Sequence, residues 1–370
     1  MPKHLVLIGG GHAHMVTLSN LKAIVDKGHR VTVIGPSDHH YYSGMGPGML
    51  SGTYQPEQIR FATRHVVEKM GGTFIKGKAS RIDPQAKTVI LENGQSVSYD
   101  VLSCNAGSHV PSPGIDGDLS DVFTVKPIAR LMKAKHRLVD HFSRHVPRIA
   151  IVGGGPSAAE VAGNVWQLGT ETGRHMPEIT IYAGEVFMAR FTPTIRRRIA
   201  GTLHRRGTVI REGVYVRAIS SAGVALDNGE TLPADFVFLA LGVEPSGIFA
   251  ASGIDTGPDG GLKVNRFLQS TQHPDIFGGG DCIYFQDQPL DKVGVYAVRQ
   301  NPVLYHNVVA RLEGRRLTPF DPGGDYLLIF NLGCGIGVLK KRWLEFGGRP
   351  AFMVKDYIDR KFMRRFQSFE

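Results

Sequence analysis

Two glycine-rich runs carry the first chemical information in this chain. Gly9-Gly10-Gly11-His12-Ala13-His14 follows the apolar run Leu5-Val6-Leu7-Ile8. Gly153-Gly154-Gly155-Pro156-Ser157-Ala158 follows Arg148-Ile149-Ala150-Ile151-Val152. A G-x-G-x-x-G/A turn between a buried strand and a helix brings backbone N–H groups up to a pyrophosphate at the positive end of that helix. Gly9 and Gly153 suit the tight turn, and Gly11 and Gly155 suit the close approach of backbone to phosphate. One such turn is common by chance; two, 144 residues apart (153 − 9) and each in strand–helix context, are not. The first departs from the pattern by placing His14 at the third glycine position, so strand and helix must pack differently there. His12 and His14 read either as neighbours of a phosphate or as internally satisfied histidines.

Other chemistry is limited by residue type. Neither fingerprint has the acidic residue that grips an adenosine ribose after the second strand: Gly35 follows Val31-Thr32-Val33-Ile34, and Ala183 follows Ile179-Thr180-Ile181-Tyr182. Ala183 is no arginine either, so the spacing predicts weak discrimination between NADH and NADPH. Cys104, Cys282 and Cys334 are the three cysteines, with no CxxC, which excludes a disulfide framework, a zinc site and an adjacent dithiol pair. The 15 histidines show no paired metal-ligand spacing, so no metal is expected.

The elements that must position these residues follow from pattern. A length of 370 residues fits two to three domains, and 42% hydrophobic with 21% charged residues describes a globular chain with a core. Gly72–Tyr99, around Asn93-Gly94, and Val214–Leu232, around Asp227-Asn228-Gly229, alternate apolar and polar residues as strand meanders do. Thr271–Asp281 reads as a strand ending in Gly280-Asp281, and Val295–Val309 as a helix. Cys104-Asn105-Ala106-Gly107-Ser108 and Leu239–Pro245 read as strands turning into crossovers. The start of the chain shows no leader pattern, and no apolar run reaches 18 residues, so a cytoplasmic location is expected.

The net charge is +10, and Lys340–Glu370 alone holds nine basic and four acidic residues, which is half of that excess. Within it, Val354, Ile358, Phe362, Phe366 and Phe369 recur at helical spacing among lysines and arginines. That pattern suits an amphipathic helix on an anionic membrane surface through residues 350–370, or one packed on the chain's own core or on a homodimer partner. No nucleic-acid motif accompanies the charge.

On these residues the chain resembles the FAD-dependent pyridine nucleotide-disulfide oxidoreductases, in the branch of type-II NADH:quinone and sulfide:quinone oxidoreductases. Within that branch, Gly9–His14, Tyr42-Ser43-Gly44-Met45-Gly46-Pro47-Gly48, Val295–Pro302 and Lys355–Met363 look like the flavoproteins associated with selenide, water dikinase. The resemblance implies an α/β fold of two Rossmann-like (ββα three-layer) dinucleotide-binding domains, the second inserted in the first, plus a C-terminal segment. An FAD domain would span 1–125 and 248–325, a second, NAD(P)H-type domain 126–247, and a C-terminal segment 326–370. It implies that Gly9, Gly11, His12, Ala13, His14, Ala106 and Gly107 border FAD, with Gly280 and Asp281 at its ribityl chain. Tyr42, Ser43 and Met45 would line the flavin, and Val295 and Tyr296 would place a helix N-terminus at its pyrimidine end. Gly153 and Gly155 would hold the nicotinamide dinucleotide. Glu160 would relay protons, or is simply an acid favoured at a helix start, while Arg299 and Gln300 would face a quinone. The implied activity is FAD-dependent electron transfer from NAD(P)H or another donor to a quinone-like acceptor, peripheral to the inner face of a cell membrane. Two alternatives stay open: a soluble flavin reductase in selenium or sulfur metabolism, and a flavin-holding regulatory protein without nicotinamide turnover. The cysteine placement speaks against sulfide chemistry.

Overall fold

The computed structural model describes residues 1–112, 114–115, 120–172 and 175–370. Two five-stranded parallel sheets organise it. The first runs, edge to edge, through Ile276–Gly278, Val101–Cys104, His4–Ile8, Arg30–Gly35 and Thr73–Lys76. Leu5, Val6 and Leu7 on its central strand are wholly buried, because a parallel sheet covered on both faces needs continuous rather than alternating apolar residues. The second sheet orders Val122–Thr124, Phe236–Leu239, Arg148–Val152, Glu178–Tyr182 and Val209–Arg211. All of its strands fall between the fourth and fifth strands of the first sheet in the chain, so the second unit is inserted in the first, as expected.

Both meanders form, with one difference. Ala79–Asp83, Thr88–Leu91 and Ser96–Ser98 make an antiparallel sheet, but Thr73–Lys76 pairs parallel to Arg30–Gly35 as the edge of the first sheet. Its Phe74 and Ile75 match the pairing register of Val33 and Ile34, a long-range preference that local alternation does not reveal. The second meander, Val216–Ser220, Gly223–Leu226 and Thr231–Leu232, turns at Gly229 with φ +89°.

The C-terminal segment is a three-stranded antiparallel sheet, Leu328–Asn331, Gly337–Lys341 and Leu344–Gly348, followed by the helix Arg349–Gln367. Pro350 opens that helix, where a missing N–H is harmless. The first of these strands leads into a loop lying on the second-domain helix Pro156–Thr172 at Gly163. Any Cβ at Gly163 would collide with the carbonyl of Leu332, so glycine is what lets the two backbones meet. Among the described residues no helix is long and apolar enough to cross a membrane.

The predicted apolar stripe of the last helix is divided. Phe366 is buried and Phe362 half-buried against the first domain, whereas Val354 and Ile358 face outward beside Met353 and Tyr357. The buried face carries Ala351, Lys355, Asp359 and Met363. Two charged residues are thus interior, which hydrophobic periodicity cannot anticipate.

Candidate active site

The first glycine turn is built by the strand His4–Ile8, which ends at Gly9 with φ +85°. A Cβ at Gly9 would collide with the carbonyl of Asn105, so the turn sits directly on the end of the neighbouring strand Val101–Cys104. Gly11 and Gly280 face the side chain of Asn105 from either side, each leaving a Cβ position 3.1 Å from one of its amide atoms. Ala13 is wholly buried, with Gly279 close against its methyl group. His14 Nδ1 donates to the Gly9 carbonyl (2.6 Å), its Nε2 accepts from Ser103 Oγ (2.8 Å), and the ring has no exposure. It fills the position of the missing third glycine, with both ring nitrogens bonded within the protein. Burial holds its imidazole neutral, with a pKa near 4, against the opposing effect of the Gly9 carbonyl.

His12 points the other way. Its Nδ1 lies 3.1 Å from His40 Nε2, and its Nε2 is buried with no partner among the described residues. Burial lowers its pKa to about 4. Asn105 Nδ2 is likewise buried and unpaired. A buried polar atom without a partner costs roughly 1–3 kcal/mol, so two of them in one glycine-lined cradle mark a place for a polar ligand. This cradle fits the pyrophosphate and ribityl parts of FAD.

Asp281 follows directly. Its carboxylate accepts from Lys126 Nζ (2.6 Å) and Ser108 Oγ (2.8 Å). Burial works to raise its pKa, but the Lys126 ammonium outweighs this and keeps the group ionised. Lys126 lies just beyond the strand Val122–Thr124, in the crossover to the second domain; no spacing in the sequence singled it out. Ala106 and Gly107 form the crossover beside it, and Gly107 adopts φ +73° with open space around it. The helix Gly294–Glu313 starts next to this cradle, with Val295 and Tyr296 in its first turn. Gln300 is buried, and its Oε1 accepts the N–H of Gly280 at 2.7 Å. Arg299 is turned away: it donates to the carbonyls of Pro322 and Gly324 (3.0 Å for the latter) and lies over Tyr296. The residue that the resemblance expects to face a quinone thus anchors the loop at 322–324.

The second turn repeats the first. Gly153 has φ +132°, its Cβ position blocked by the Ala240 carbonyl, while Gly155 has open space where a second dinucleotide would approach. The helix Pro156–Thr172 rises from it and carries Glu160 in its second turn. Glu160 Oε1 accepts the N–H of Asn331 at 2.7 Å, and Asn164 Nδ2 reaches the Asn331 carbonyl at 3.0 Å. Burial raises the Glu160 pKa to about 7, with Lys355 and the Asn331 N–H pulling it back and Asp359 adding to the rise.

Lys355 and Asp359 were missed by sequence reading because they stand among surface-type charges in a basic helix. Lys355 Nζ donates to the Gly44 carbonyl (2.7 Å) and to Asp359 Oδ2 (2.8 Å). Tyr42 donates to Asp359 Oδ1 at 3.0 Å. Ser43 and Met45 complete the loop; Met45 is buried beneath it and does not line the cradle. Phe362 stacks on Tyr42 (4.9 Å) and lies 6.0 Å from His12, so the last helix closes the first fingerprint. Of the three cysteines, Cys104 and Cys282 are buried thiols raised in pKa by that burial, Cys282 to about 11, and Cys334 is exposed.

Comparison with known proteins agrees with this geometry. The chain is 26% identical over 355 residues to ferroptosis suppressor protein 1 of Xenopus laevis, covering 90% of this chain and 87% of that protein. It is 24% identical over 379 residues to the type II NADH:quinone oxidoreductase of Staphylococcus saprophyticus, covering 95% and 93%. The solved sulfide:quinone oxidoreductase of Aquifex aeolicus superposes with a TM-score of 0.80 at 20% identity, over 100% of this chain and 92% of that one. The narrower likeness to selenide-linked flavoproteins finds no support in these comparisons. With two dinucleotide turns, an inserted second domain and a family model for pyridine nucleotide-disulphide oxidoreductases matching residues 3–310, the chain belongs to that family.

Proposed function

We propose that this protein is an FAD-dependent oxidoreductase that takes electrons from NADH or NADPH and delivers them to a quinone. The single observation that carries the acceptor half is Glu160, whose carboxyl accepts the Asn331 N–H where the loop after the strand Leu328–Asn331 lies on the second-domain helix and whose pKa burial raises to about 7. FAD held in this cradle would supply the hydride-accepting and electron-passing chemistry. The chain supplies the rest. Gly9, Gly11, Asn105, His12 and Asp281 fix the cofactor, and Gly153 and Gly155 receive the nicotinamide dinucleotide. The start of the helix Gly294–Glu313 aims its positive end at developing negative charge. Glu160, poised near neutrality, holds a proton for an acceptor that takes up two electrons and two protons. Glu160→Gln should leave reduction by NAD(P)H intact and slow reoxidation by a water-soluble quinone about 10²-fold or more. Equal reoxidation rates in the two proteins would remove Glu160 from the reaction.

The domain limits 1–125 with 248–325, 126–247 and 326–370 are part of this reading. So is a peripheral membrane location, on an outward face different from the stripe first expected. Trp343, at the tip of the Gly337–Gly348 hairpin, is 86% exposed, Met353 68% and Tyr357 66%. Leu344, Val354 and Ile358 adjoin them, and Lys341, Arg342, Arg349, Lys361, Arg364 and Arg365 are exposed around them. Exposed aromatic and aliphatic side chains interspersed with exposed basic ones suit an anionic bilayer, where a long-tailed quinone resides.

A further inference from the structure

The second sheet turns its carboxyl edge toward Gly153–Gly155, and the elements along that edge fix which way a dinucleotide must lie. On one side of the turn, the strand Phe236–Leu239 runs out into the crossover, where Glu244 and Pro245 pair antiparallel with His109 and Ser108. Ser108 bonds Asp281, so that side leads to the FAD cradle. A nicotinamide that reaches the flavin must therefore lie on the Leu239 side. The adenosine half must lie on the other, over the ends of Glu178–Tyr182 and Val209–Arg211, because dinucleotides bind across the carboxyl ends of parallel strands.

Those two strand ends are stitched one step beyond the sheet. Ala183 donates its N–H to the Arg211 carbonyl (2.8 Å), Gly213 donates to the Gly184 carbonyl (2.6 Å), and Gly184 bridges Val214. Tyr215 follows, its backbone anchored twice to Asp227: its N–H donates to Oδ1 (3.0 Å) and its carbonyl accepts the Asp227 N–H (2.9 Å). The Tyr215 ring stands against Gly184. A Cβ there would come within 3.1 Å of the ring carbon Cε1, so glycine, at φ +71°, is what leaves room for it. Even so, Tyr215 is 50% exposed. An aromatic side chain on an anchored backbone, left half in water at the end of a sheet, has a flat apolar surface to offer. The charged groups beside it are already engaged. Arg211 pairs with Glu230 at 2.8 Å, and Glu212 accepts from Arg196 (2.6 Å) and from the Phe187 N–H (2.7 Å). Ala183, where an acid would grip the ribose, is buried.

We infer that Tyr215 carries the adenine of the nicotinamide dinucleotide by stacking, and that this contact takes the place of the missing ribose acid. The inference rests on the reading of the second domain as the NAD(P)H site. Stacking uses the π-face of the base and ignores the ribose 2′ position, so one residue serves NADH and NADPH alike.

Anaerobic single-turnover bleaching of the flavin-loaded protein tests this with three donors: NADH, NADPH and reduced nicotinamide mononucleotide, which carries the same hydride but no adenosine. Tyr215→Ser should raise the half-saturating concentration of NADH and of NADPH about tenfold and leave the limiting rate unchanged. Bleaching by the mononucleotide should be the same in both proteins. Calorimetric titration of the oxidised protein with NAD+ should show the same loss of affinity without turnover. Tyr215→Phe keeps the π-face and should behave as the unaltered protein, whereas Tyr215→Leu, apolar but without that face, should resemble the serine variant. This pair carries the test if Tyr215→Ser does not fold. Half-saturation by NADH that is unchanged in Tyr215→Ser and Tyr215→Leu, or a loss that appears equally with the mononucleotide, overturns the inference while leaving nicotinamide donation intact. An unaltered protein that none of the three donors bleaches overturns both.

Discussion

At the scale of single residues, histidines decide how the first fingerprint tolerates acid. His14 is held neutral with a pKa near 4, against 6.5 for an unburied imidazole, so the unfolded chain binds its proton first as pH falls. Its contribution is complete above pH 6.5 and is lost as pH drops toward 4. Between pH 7 and 5 that amounts to about 2 kcal/mol. His14→Gln should therefore lose less stability than wild type over this interval in chemical denaturation, whatever its stability at neutral pH. Equal losses would show that the His14 imidazole does not titrate as its burial requires. The cysteines make the opposite case: replacing Cys104, Cys282 and Cys334 together with alanine should leave flavin reduction near normal. A folded triple variant with no turnover would restore a thiol mechanism. Asp281→Ala strands Lys126 and should release much of the FAD, read as lost flavin absorbance after gel filtration. What could be read from the chain at this scale was set by local type and spacing. Gly9, Gly11, Gly153 and Asp281 announce themselves beside apolar strands. Lys126, Asn105, Lys355 and Asp359 acquire meaning only through partners between 155 and 317 residues away or through burial, and nothing in their neighbourhoods marks them.

At the scale of elements, the C-terminal helix has two faces with different tasks. Its inner face carries Lys355, Asp359 and Phe366, bonded to Tyr42 and Gly44 and packed on Phe61. Its outer face exposes Met353, Val354, Tyr357 and Ile358 together with basic residues, and the hairpin tip exposes Trp343. Removing the helix would therefore expose the Glu160 site as well as any docking surface, and truncation cannot separate the two. Trp343→Ser with Tyr357→Ser and Ile358→Ser can. This variant should keep its FAD and its melting temperature within a few degrees, yet lose binding to anionic liposomes in a sedimentation assay. Each large apolar side chain buried in lipid contributes roughly 1.5–3 kcal/mol, so three together exceed a hundredfold in affinity. High salt should weaken binding of the unaltered protein through these basic residues. Liposome binding that survives the triple change would place the contact elsewhere. The sequence pattern identified the helix and its amphipathicity but left its apolar stripe open between a membrane, the chain's own core and a dimer partner. Phe362 and Phe366 repeat at the same spacing as Val354 and Ile358, and only the packing against Tyr42, His12 and Phe61 tells them apart.

At the scale of the molecule, the second domain lies inserted in the first, and the loop 331–334 with the last helix ties them together at Glu160, Gly163 and Lys355. The pairing of two parallel sheets was legible from two fingerprints and the strand before Asp281, whereas the transfer of Thr73–Lys76 from meander to parallel edge was not. Nicotinamide choice belongs to this scale, because it depends on how the second domain presents its ribose pocket. Ala183 is buried and is followed by Gly184 with φ +71°, so no side chain at the strand end grips or rejects a 2′-phosphate. The preference for NADH over NADPH should stay below about 100-fold in kcat/KM.

The claim that organises all of this is electron passage from a nicotinamide to a quinone through one bound flavin, and a single anaerobic stopped-flow experiment tests it. Purified flavin-loaded protein is mixed with NADH or NADPH, and a water-soluble quinone is added in a second push while flavin absorbance is followed. The account predicts that the nicotinamide bleaches the flavin and that the quinone restores its full absorbance within the same turnover. A flavin that neither nicotinamide bleaches, or one that stays bleached when quinone is supplied, would contradict it.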